Sequence, residues 1–588
     1  MTNRRRYRLR ALVVLVAGFL AITPSGPAAP GQSMPDDGPR MAFWQERMRR
    51  ADSLLSAGAI GPAIDELEEL RGSPPVRARS EDYPRVLMML ARAYAWWGDI
   101  DRSIERVAEA LALGYPALRE IATGEDFVLV RLDERFARLV AEAQARTAPW
   151  ERLWKPSLAV DRWRDTLAPE LRAAGVSALW SAAKHSYAWF ERLGESSWDS
   201  LHVATLREAL ATPSTLAYYR VLQRMAARLG DAHTMVEIPP ELVDSLDYAP
   251  PVRTSLVDGR ALVTAVLAPG RSADRIAVGD EIVAVDGLTV ARHVAERIEP
   301  WVSASTPQDR AVRCYDDLLL SGPADSRVVV TLLGADGVTR EVSLERAWCR
   351  TDLQGRSAID IRRLAGNVGY IGIDSFDDEY IVSLVDRSLE RISDASAVII
   401  DLRRNAGGHT LLAFEVLGRF IGGTFETHQW ETPVYRAYFH ARGRPVEWYR
   451  EPAGFQAGTR PAVYSRPVVL LVGARTMSAA EHFAVAFDFA RRGVIVGEPT
   501  AGSTGHSLAV ALPGGGRARI TTTRDYYPDG TAFNGSGVVP AVTIRTTRDD
   551  VRCGRDGVLD AALLVARSLI DRSAARSAGP GTGGEDAQ

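Results

Sequence analysis

The chain has 588 residues, of which 46% are hydrophobic and 25% are charged, with a formal net charge of -3. At roughly 150 residues per domain, this length predicts about four units. The ordinary globular composition excludes wholesale disorder, collagen-like repeats and a polytopic membrane protein, and the near-neutral charge argues against nucleic acid as a partner. Only two of the 71 basic residues are lysines, Lys155 and Lys184, so a lysine-dependent mechanism has only these two to use.

The two ends of the chain carry little core-forming sequence. Residues 1–30 combine a basic start, an apolar run of 12 residues and a small-residue segment, which predicts a signal peptide. The apolar run is short for a membrane span. We therefore expect a periplasmic or secreted protein that meets the membrane only if this segment stays uncleaved. The small, polar residues 573–588 predict a disordered tail.

The cysteine pattern predicts no scaffold of disulfides and no zinc module. Cys314, Cys349 and Cys553 are odd in number and have no CxxC spacing. In an oxidising compartment a disulfide between Cys314 and Cys349 is an alternative that the sequence does not decide.

Residues 41–245 show a helical pattern, which glycine and proline residues stop near its end. Within residues 41–147, two segments match at a fixed offset of 40, with Ala51 against Ala91 and Gly58 against Gly98. Subtracting a loop of about six residues from this offset leaves a period of about 34, the length of the tetratricopeptide repeat. The second copy resembles that repeat. Such stacks bind extended peptides or partner proteins, and a plain helical pedestal is the alternative. Residues 148–250 are rich in tryptophans at spacings typical of a core.

Residues 251–348 change to short β-rich stretches bounded by glycine or aspartate. The turns at Gly279-Asp280 and Asp286-Gly287 flank one strand and resemble the centre of a PDZ domain. PDZ domains hold a peptide carboxylate in a glycine-rich loop, and the corresponding residues 250–256 contain no glycine. This argues against capture of peptide C-termini.

Residues 358–565 alternate strand and helix patterns, which is typical of an α/β core with buried strands. In one of these strand–helix pairs, the strand pattern ends near Gly473 and a helix begins around Ser478. A serine there presents its hydroxyl at the positive end of the helix dipole, with the N–H of Ala479 pointing to the same spot. This predicts a nucleophile beside an oxyanion donor, although serine also caps helices without any catalytic role.

A second candidate stretch follows the strand pattern that ends at Asp401. Gly407 and Gly408 come a few residues later, and glycines let the backbone adopt positive φ and turn an N–H into an open site. If the two strands share a sheet, one of these glycines supplies a second oxyanion donor. An ordinary Gly-Gly turn is the alternative.

Five stretches in order resemble the C-terminal processing (tail-specific) serine peptidases. They are GYIGIDSF, IIDLRRNAGG, RTMSAAE, IVGEPTAGSTG and DGTAFNGSGVVPAV. The resemblance covers about residues 150–565. It implies a multidomain α+β protein whose helical segment and PDZ-like domain precede an α/β core of the ClpP/crotonase type. It also implies a protein or peptide substrate.

The resemblance offers two alternative general bases. The bacterial processing branch has a lysine where this chain has Ser503, and no lysine follows Lys184. The branch typified by the tricorn core instead takes a histidine from a DGHT-like motif, which implies His233 in the stretch 230–234. A serine hydroxyl needs a base with a pKa near neutrality, and imidazole meets that need.

The remaining site residues are less closely matched to the tricorn-like branch. Three other histidines lie near the motifs and are rivals for the base: His409, His482 and His506. Asn534 stands where that branch has a glutamate, and asparagine can orient an imidazole. Ala232 removes the hydroxyl that the branch places before its histidine.

The sequence as a whole predicts an exported serine endopeptidase without a metal or organic cofactor. It contains neither a phosphate loop nor an HExxH motif. A partner protein on the helical repeats is expected in addition to the substrate. The alternative is a non-proteolytic binding protein for a hydrophobic ligand or a protein partner, because the resemblance extends to interphotoreceptor retinoid-binding protein. An interaction scaffold with an inactive core is a third reading.

Overall fold

The computed structural model describes residues 47–48, 50–55, 57–73, 82–115, 118–154, 163–194, 196–267, 275–350, 359–457 and 463–577. The predicted signal peptide lies outside these residues, as does Lys155. None of the described helices is long and apolar enough to cross a membrane. The chain divides into two compact units, Met1–Pro149 and Trp150–Gln588, which are described separately below.

The N-terminal unit is helical. Its helices are α1 Ile60–Gly72, α2 Asp82–Trp97, α3 Ile100–Ala112, α4 Leu118–Thr123 and α5 Glu134–Trp154. Ala51 and Ala91, the pair matched at the offset of 40, are both fully buried. Gly58 and Gly98 both adopt positive φ, +73° and +87°. The two segments therefore use the same small residue and the same turn at matching places.

The second unit contains helices along its whole length. They are α6 Pro169–Ser186, α7 Trp198–Leu210, α8 Thr215–Ala227, α9 Val243–Leu246, α10 Val290–Arg297, α11 Pro307–Ala311, α12 Ile381–Arg391, α13 Thr410–Leu417, α14 Ala437–His440, α15 Ala479–Phe489, α16 Arg548–Cys553 and α17 Gly557–Ser577. Helix α17 covers residues 573–577, the first part of the segment predicted to be a disordered tail. The rest of that segment lies outside the described residues.

The strands among the described residues all belong to the second unit. The first half are β1 Met235–Glu237, β2 Tyr248–Ala249, β3 Val252–Val257, β4 Arg260–Val266, β5 Glu281–Val285, β6 Leu288–Thr289, β7 Arg327–Leu333, β8 Thr339–Glu345, β9 Trp348–Cys349, β10 Ile359–Leu364 and β11 Val368–Ile373. The second half are β12 Ala397–Asp401, β13 Thr424–Glu426, β14 Gln429–Val434, β15 Glu447–Glu451, β16 Phe455–Ala457, β17 Val468–Val472, β18 Val494–Gly497, β19 Ser507–Ala511, β20 Arg517–Thr521, β21 Arg524–Tyr526 and β22 Val542–Thr543.

Strands β3 to β8 form an antiparallel sheet in the order β3-β4-β5-β7-β8, with β6 paired to β5. Gly279 and Gly287 adopt positive φ, +90° and +78°, at the two ends of β5, where the sequence predicts turns. Cys314 is a buried free thiol beneath this sheet. The Cys314–Cys349 disulfide that the sequence left open is therefore not formed.

A six-stranded sheet forms the centre of the molecule's α/β core, in the order β10-β11-β12-β17-β18-β22. Its strands are parallel except β10, which runs antiparallel to β11. Every residue of β11, β12 and β17 is buried. Residues of α12, α13 and α15 fill one face, and α17 packs on the other. This is the mixed α/β core that the alternating pattern predicts.

Parallel pairing of β12 with β17 decides where the candidate site forms. Asp401 lies opposite Leu471 in this pairing, so both strands end at the same edge of the sheet. The segments that follow them, residues 402–409 and 473–478, therefore meet. Met477 donates its N–H to the carbonyl of Asn405 at 3.1 Å, which fastens the two segments together.

Candidate active site

Ser478 lies at the turn between β17 and α15 in a strained backbone conformation. Its φ is +58° and its ψ is -124°, a region that non-glycine residues rarely occupy. Its N–H donates to the carbonyl of Ser503 at 3.0 Å and to Glu481 Oε2 at 3.3 Å. Ser478 is partly exposed, whereas Ala479 is buried. This is the strand-turn-helix arrangement that exposes a nucleophile.

The two glycines of the β12 loop have different roles. Gly407 has a φ of +107°, and a Cβ added there would lie 2.7 Å from the Ser478 Cβ and 3.2 Å from the Ala479 nitrogen. Its N–H donates to Asn405 Oδ1 at 2.8 Å, so this amide is already used. Gly408 is exposed. Within the described part of the chain, neither its N–H nor that of Ala479 donates a hydrogen bond.

His233 lies on the short loop between α8 and β1. Pairing of β1 with β20, with Met235 opposite Arg519, brings this loop to the core from far away in sequence. Asp231 is fully buried and accepts hydrogen bonds from Thr234 Oγ1 at 2.7 Å and from Ser305 Oγ at 3.1 Å. Ser305 Oγ also accepts the N–H of Ala232 at 3.0 Å. The loop that presents the imidazole is therefore fixed by a buried carboxylate.

The His233 imidazole contacts Ser503. Its Nδ1 lies 2.8 Å from Ser503 Oγ, and the carbonyl of Ser503 accepts the Ser478 N–H. Ser503 thus connects the histidine to the serine, at the position where the sequence comparison noted only the missing lysine. The described residues include no hydrogen bond between the Ser478 hydroxyl and the imidazole. Burial lowers the pKa of His233 below its usual value, which keeps the ring neutral.

Glu481 organises the backbone around Ser478. Its carboxylate is fully buried and accepts hydrogen bonds from Thr500 Oγ1 at 2.5 Å, Gly502 N at 2.8 Å and Ser503 N at 2.9 Å. Burial raises the pKa of Glu481 to about 7, although these donors oppose the rise. Sequence reasoning missed this residue. The signal was present, because Ser478 and Glu481 have the spacing of a capping box.

Asn534 lies beside the same segment but does not bond to His233. Its Nδ2 donates to Thr504 Oγ1 at 3.1 Å, and its Oδ1 accepts the N–H of Thr504 at 3.5 Å. The partner of the imidazole in this structure is Ser503, the neighbour of Thr504.

The rival histidines have other partners. His409 is exposed at the start of α13. His482 is buried, with Nε2 2.9 Å from Asp525 Oδ2 and Nδ1 3.2 Å from Thr410 Oγ1. His506 makes a ring-edge contact with Trp430 at 6.5 Å. Lys184, the one lysine in the described residues, pairs with Asp199 at 2.8 Å.

Comparison with known proteins finds peptidases among the relatives. Residues 367–544 match the model of peptidase family S41. The chloroplastic C-terminal processing peptidase of Tetradesmus obliquus is 25% identical over 300 residues, which is 49% of this chain and 57% of the relative. The chloroplastic carboxyl-terminal-processing peptidase 1 of Arabidopsis thaliana is 25% identical over 362 residues, covering 59% and 66%. The chain thus spans less than two thirds of the length of these relatives.

The fold has solved counterparts as well. The structure of mature CPAF complexed with lactacystin is 18% identical, with a TM-score of 0.54, and the match covers 69% of this chain and 99% of that one. This similarity concerns the fold alone. Residues 367–544 are thus similar to peptidase family S41, and the curated relatives are C-terminal processing peptidases, which together indicate a serine peptidase.

Proposed function

We propose that this protein is a serine endopeptidase of the tail-specific, tricorn-like type, with Ser478 as the nucleophile and His233 as the general base. The observation that carries the proposal is the link between them through Ser503. The Oγ of Ser503 contacts the imidazole, and its carbonyl holds the Ser478 backbone. Two residues 245 positions apart in sequence are thereby fixed to one short segment.

Proton transfer follows from the partner of each ring nitrogen. When Nδ1–H of His233 donates to Ser503 Oγ, the lone pair on Nε2 is free to accept the Ser478 proton as the hydroxyl attacks the peptide carbonyl. The imidazolium then gives that proton to the leaving amine, and the acyl group stays on Ser478. Water, deprotonated by the same imidazole, releases the acid and restores the serine. The lowered pKa of His233 keeps the base form populated at neutral pH.

Negative charge on the attacked carbonyl needs two hydrogen-bond donors. We assign these to the N–H groups of Ala479 and Gly408, because Gly407 donates to Asn405 instead. Loss of one such donor typically costs about 10²–10³ in rate. Gly407 acts by allowing the loop to lie against Ser478 without a Cβ. In this proposal Asn534 orients the segment that carries Ser503, through its hydrogen bonds to Thr504.

The other regions fit a protein that acts on proteins or peptides. The PDZ-like residues 251–348 would guide substrate, and the tetratricopeptide-like residues 41–147 would recruit a partner protein. Residues 1–30 would direct export to the periplasm or the medium. Curated relatives are named for C-terminal processing, and we propose the same substrate class here.

Labelling with a fluorophosphonate probe tests the nucleophile directly. The wild-type chain is expected to label covalently, and Ser478→Ala is expected to lose the label because the attacking oxygen is gone. Ser200→Ala, at an exposed serine on α7, is the matched control and should label like the wild type. Equal labelling of wild type and Ser478→Ala would reject the peptidase and favour a binding protein on the same scaffold.

A further inference from the structure

A second histidine cluster lies outside the Ser478–His233 pair. It consists of His428, His482 and Asp525, which come from the loop before β14, from α15 and from β21. One ligand atom from each side chain lies within 4.8 Å of those of the other two. Three separate elements therefore bring two imidazoles and one carboxylate to one place.

Two members of this cluster are held by further hydroxyl groups. His482 Nε2 faces Asp525 Oδ2 at 2.9 Å, while its Nδ1 lies 3.2 Å from Thr410 Oγ1. Asp525 Oδ1 accepts a hydrogen bond from Thr523 Oγ1 at 3.3 Å. Outer partners of this kind fix the ring orientation and the carboxylate of metal ligands. His482 and Asp525 are both buried, with 6% and 1% of their surface exposed.

The third member has a polar atom without a partner. Nδ1 of His428 is buried and has no hydrogen-bond partner among the described residues. A buried polar group left unpaired costs free energy and calls for an explanation, such as an ion that completes it. The ring of His428 instead stacks on that of His482, with centroids 3.7 Å apart and planes within 4°.

We propose that His428, His482 and Asp525 bind a divalent transition-metal ion of the zinc type. Two imidazoles and one carboxylate are a common protein ligand set for Zn²⁺, with one position left for water. Coordination at about 2.0–2.2 Å requires the ligand atoms to reorient around the ion, since His482 Nε2 and Asp525 Oδ2 now face each other directly at 2.9 Å. Because nitrogen lone pairs lie in the ring planes, one of the parallel rings must tilt. His428 is the ring that tilts, since it lies in a loop of two residues between β13 and β14.

The ion would join the nucleophile's helix to the neighbouring strands. His482 donates its backbone N–H to the Ser478 carbonyl at 3.1 Å, so the site lies one helical turn from the nucleophile. Asp525 is on β21, which pairs with β14. Bound metal would therefore stabilise the start of α15 against this small sheet. This role is separate from the chemistry of Ser478, and it departs from the sequence-based expectation that the protein holds no metal.

Zinc binding by the full chain, stripped with a chelator, tests the proposal by titration calorimetry. The wild type is expected to bind a single Zn²⁺ with micromolar or tighter affinity and to gain thermal stability. His428→Phe keeps the ring that stacks on His482 but removes the ligand nitrogen, and it should weaken binding by at least about tenfold. His440→Ala removes an exposed histidine on α14 and should bind zinc like the wild type.

Visible absorption of Co²⁺-loaded protein gives a second readout, which reports the ligand set directly rather than the affinity. A site with two imidazoles and a carboxylate is expected to give intense ligand-field bands in the wild type, which Asp525→Asn weakens. Absence of zinc binding by the wild type would overturn the proposal. Equal affinity in wild type and His428→Phe would overturn it as well.

Discussion

The two histidine clusters beside Ser478 differ in what their ring nitrogens contact. In the His482 cluster, formed by His428, His482 and Asp525, both nitrogens of the central histidine already have partners. In the His233 cluster, formed by His233, Ser503 and Asp231, only Nδ1 has a hydrogen-bond partner among the described residues. A histidine–carboxylate pair is the more familiar catalytic signature, yet here both nitrogens of that histidine face other protein groups, and neither bonds the Ser478 hydroxyl. A general base is recognised by its free nitrogen rather than by its carboxylate.

The largest effect on the acylation rate is expected from removal of the His233 imidazole, and removal of His482 provides the comparison. His233→Ala should lower the rate of fluorophosphonate acylation by about 10³–10⁴, because Ser478 loses its base. His482→Gln should change this rate by less than about tenfold, and its main effect should be a lower melting temperature. Acylation rates and thermal melts of both variants provide the measurement.

Equal rate losses in the two variants would break the distinction between the clusters. His440→Ala serves as the control for both, since its side chain is exposed on α14. A rate loss in His482→Gln that exceeds the loss in His233→Ala would transfer the role of base to the buried cluster.

The α/β core was predictable from the sequence because its signals are local. Strand β17 is a continuous apolar run and β12 is nearly one, and both are fully buried. The same is true of the antiparallel sheet that precedes the core, where Gly279 and Gly287 adopt the positive φ that their turns need. The serine at the helix start and the paired glycines after β12 follow from the same local patterns.

The partners of the site residues were not predictable because they depend on long-range pairing. His233 reaches Ser503 only because β1 pairs with β20. The sequence around His233 contains no signal that predicts the register of this pairing. The same holds for His482 and Asp525, which are 43 positions apart. In the sequence, Ser503 was notable only because it replaces the lysine of the bacterial processing branch. In the structure its Oγ contacts the His233 imidazole.

A smaller effect is expected from a methyl group placed against the nucleophile. In Gly407→Ala the new Cβ would lie 2.7 Å from the Ser478 Cβ, at a φ of +107° that alanine resists. The loop must then shift, which moves the Gly408 N–H, and acylation should slow by about 10²–10³. Gly422→Ala is the matched control, because a Cβ there meets nothing within 4 Å. Similar rates in both variants would show that the β12 loop is not part of the oxyanion site.

The smallest effect is expected at Ser503, and it separates positioning from chemistry. Ser503→Ala removes the oxygen that contacts Nδ1 of His233, so the imidazole loses its orientation and kcat should fall about tenfold while KM stays unchanged. Ser536→Ala is the control, because its Oγ bonds only backbone carbonyls of its own turn.

The pH profile of the same variant gives the sharper test. Burial lowers the pKa of His233, so activity of the wild type should be lost only as the pH falls below the ordinary histidine value of about 6.5. Ser503 Oγ accepts a hydrogen bond most strongly from the imidazolium, and its removal destabilises the charged form. The acid limb of kcat/KM in Ser503→Ala should therefore move to still lower pH. An acid limb at the wild-type pH, together with an unchanged kcat, would show that Ser503 only holds the Ser478 backbone. The identity of the general base would then rest on the His233→Ala and His482→Gln variants alone.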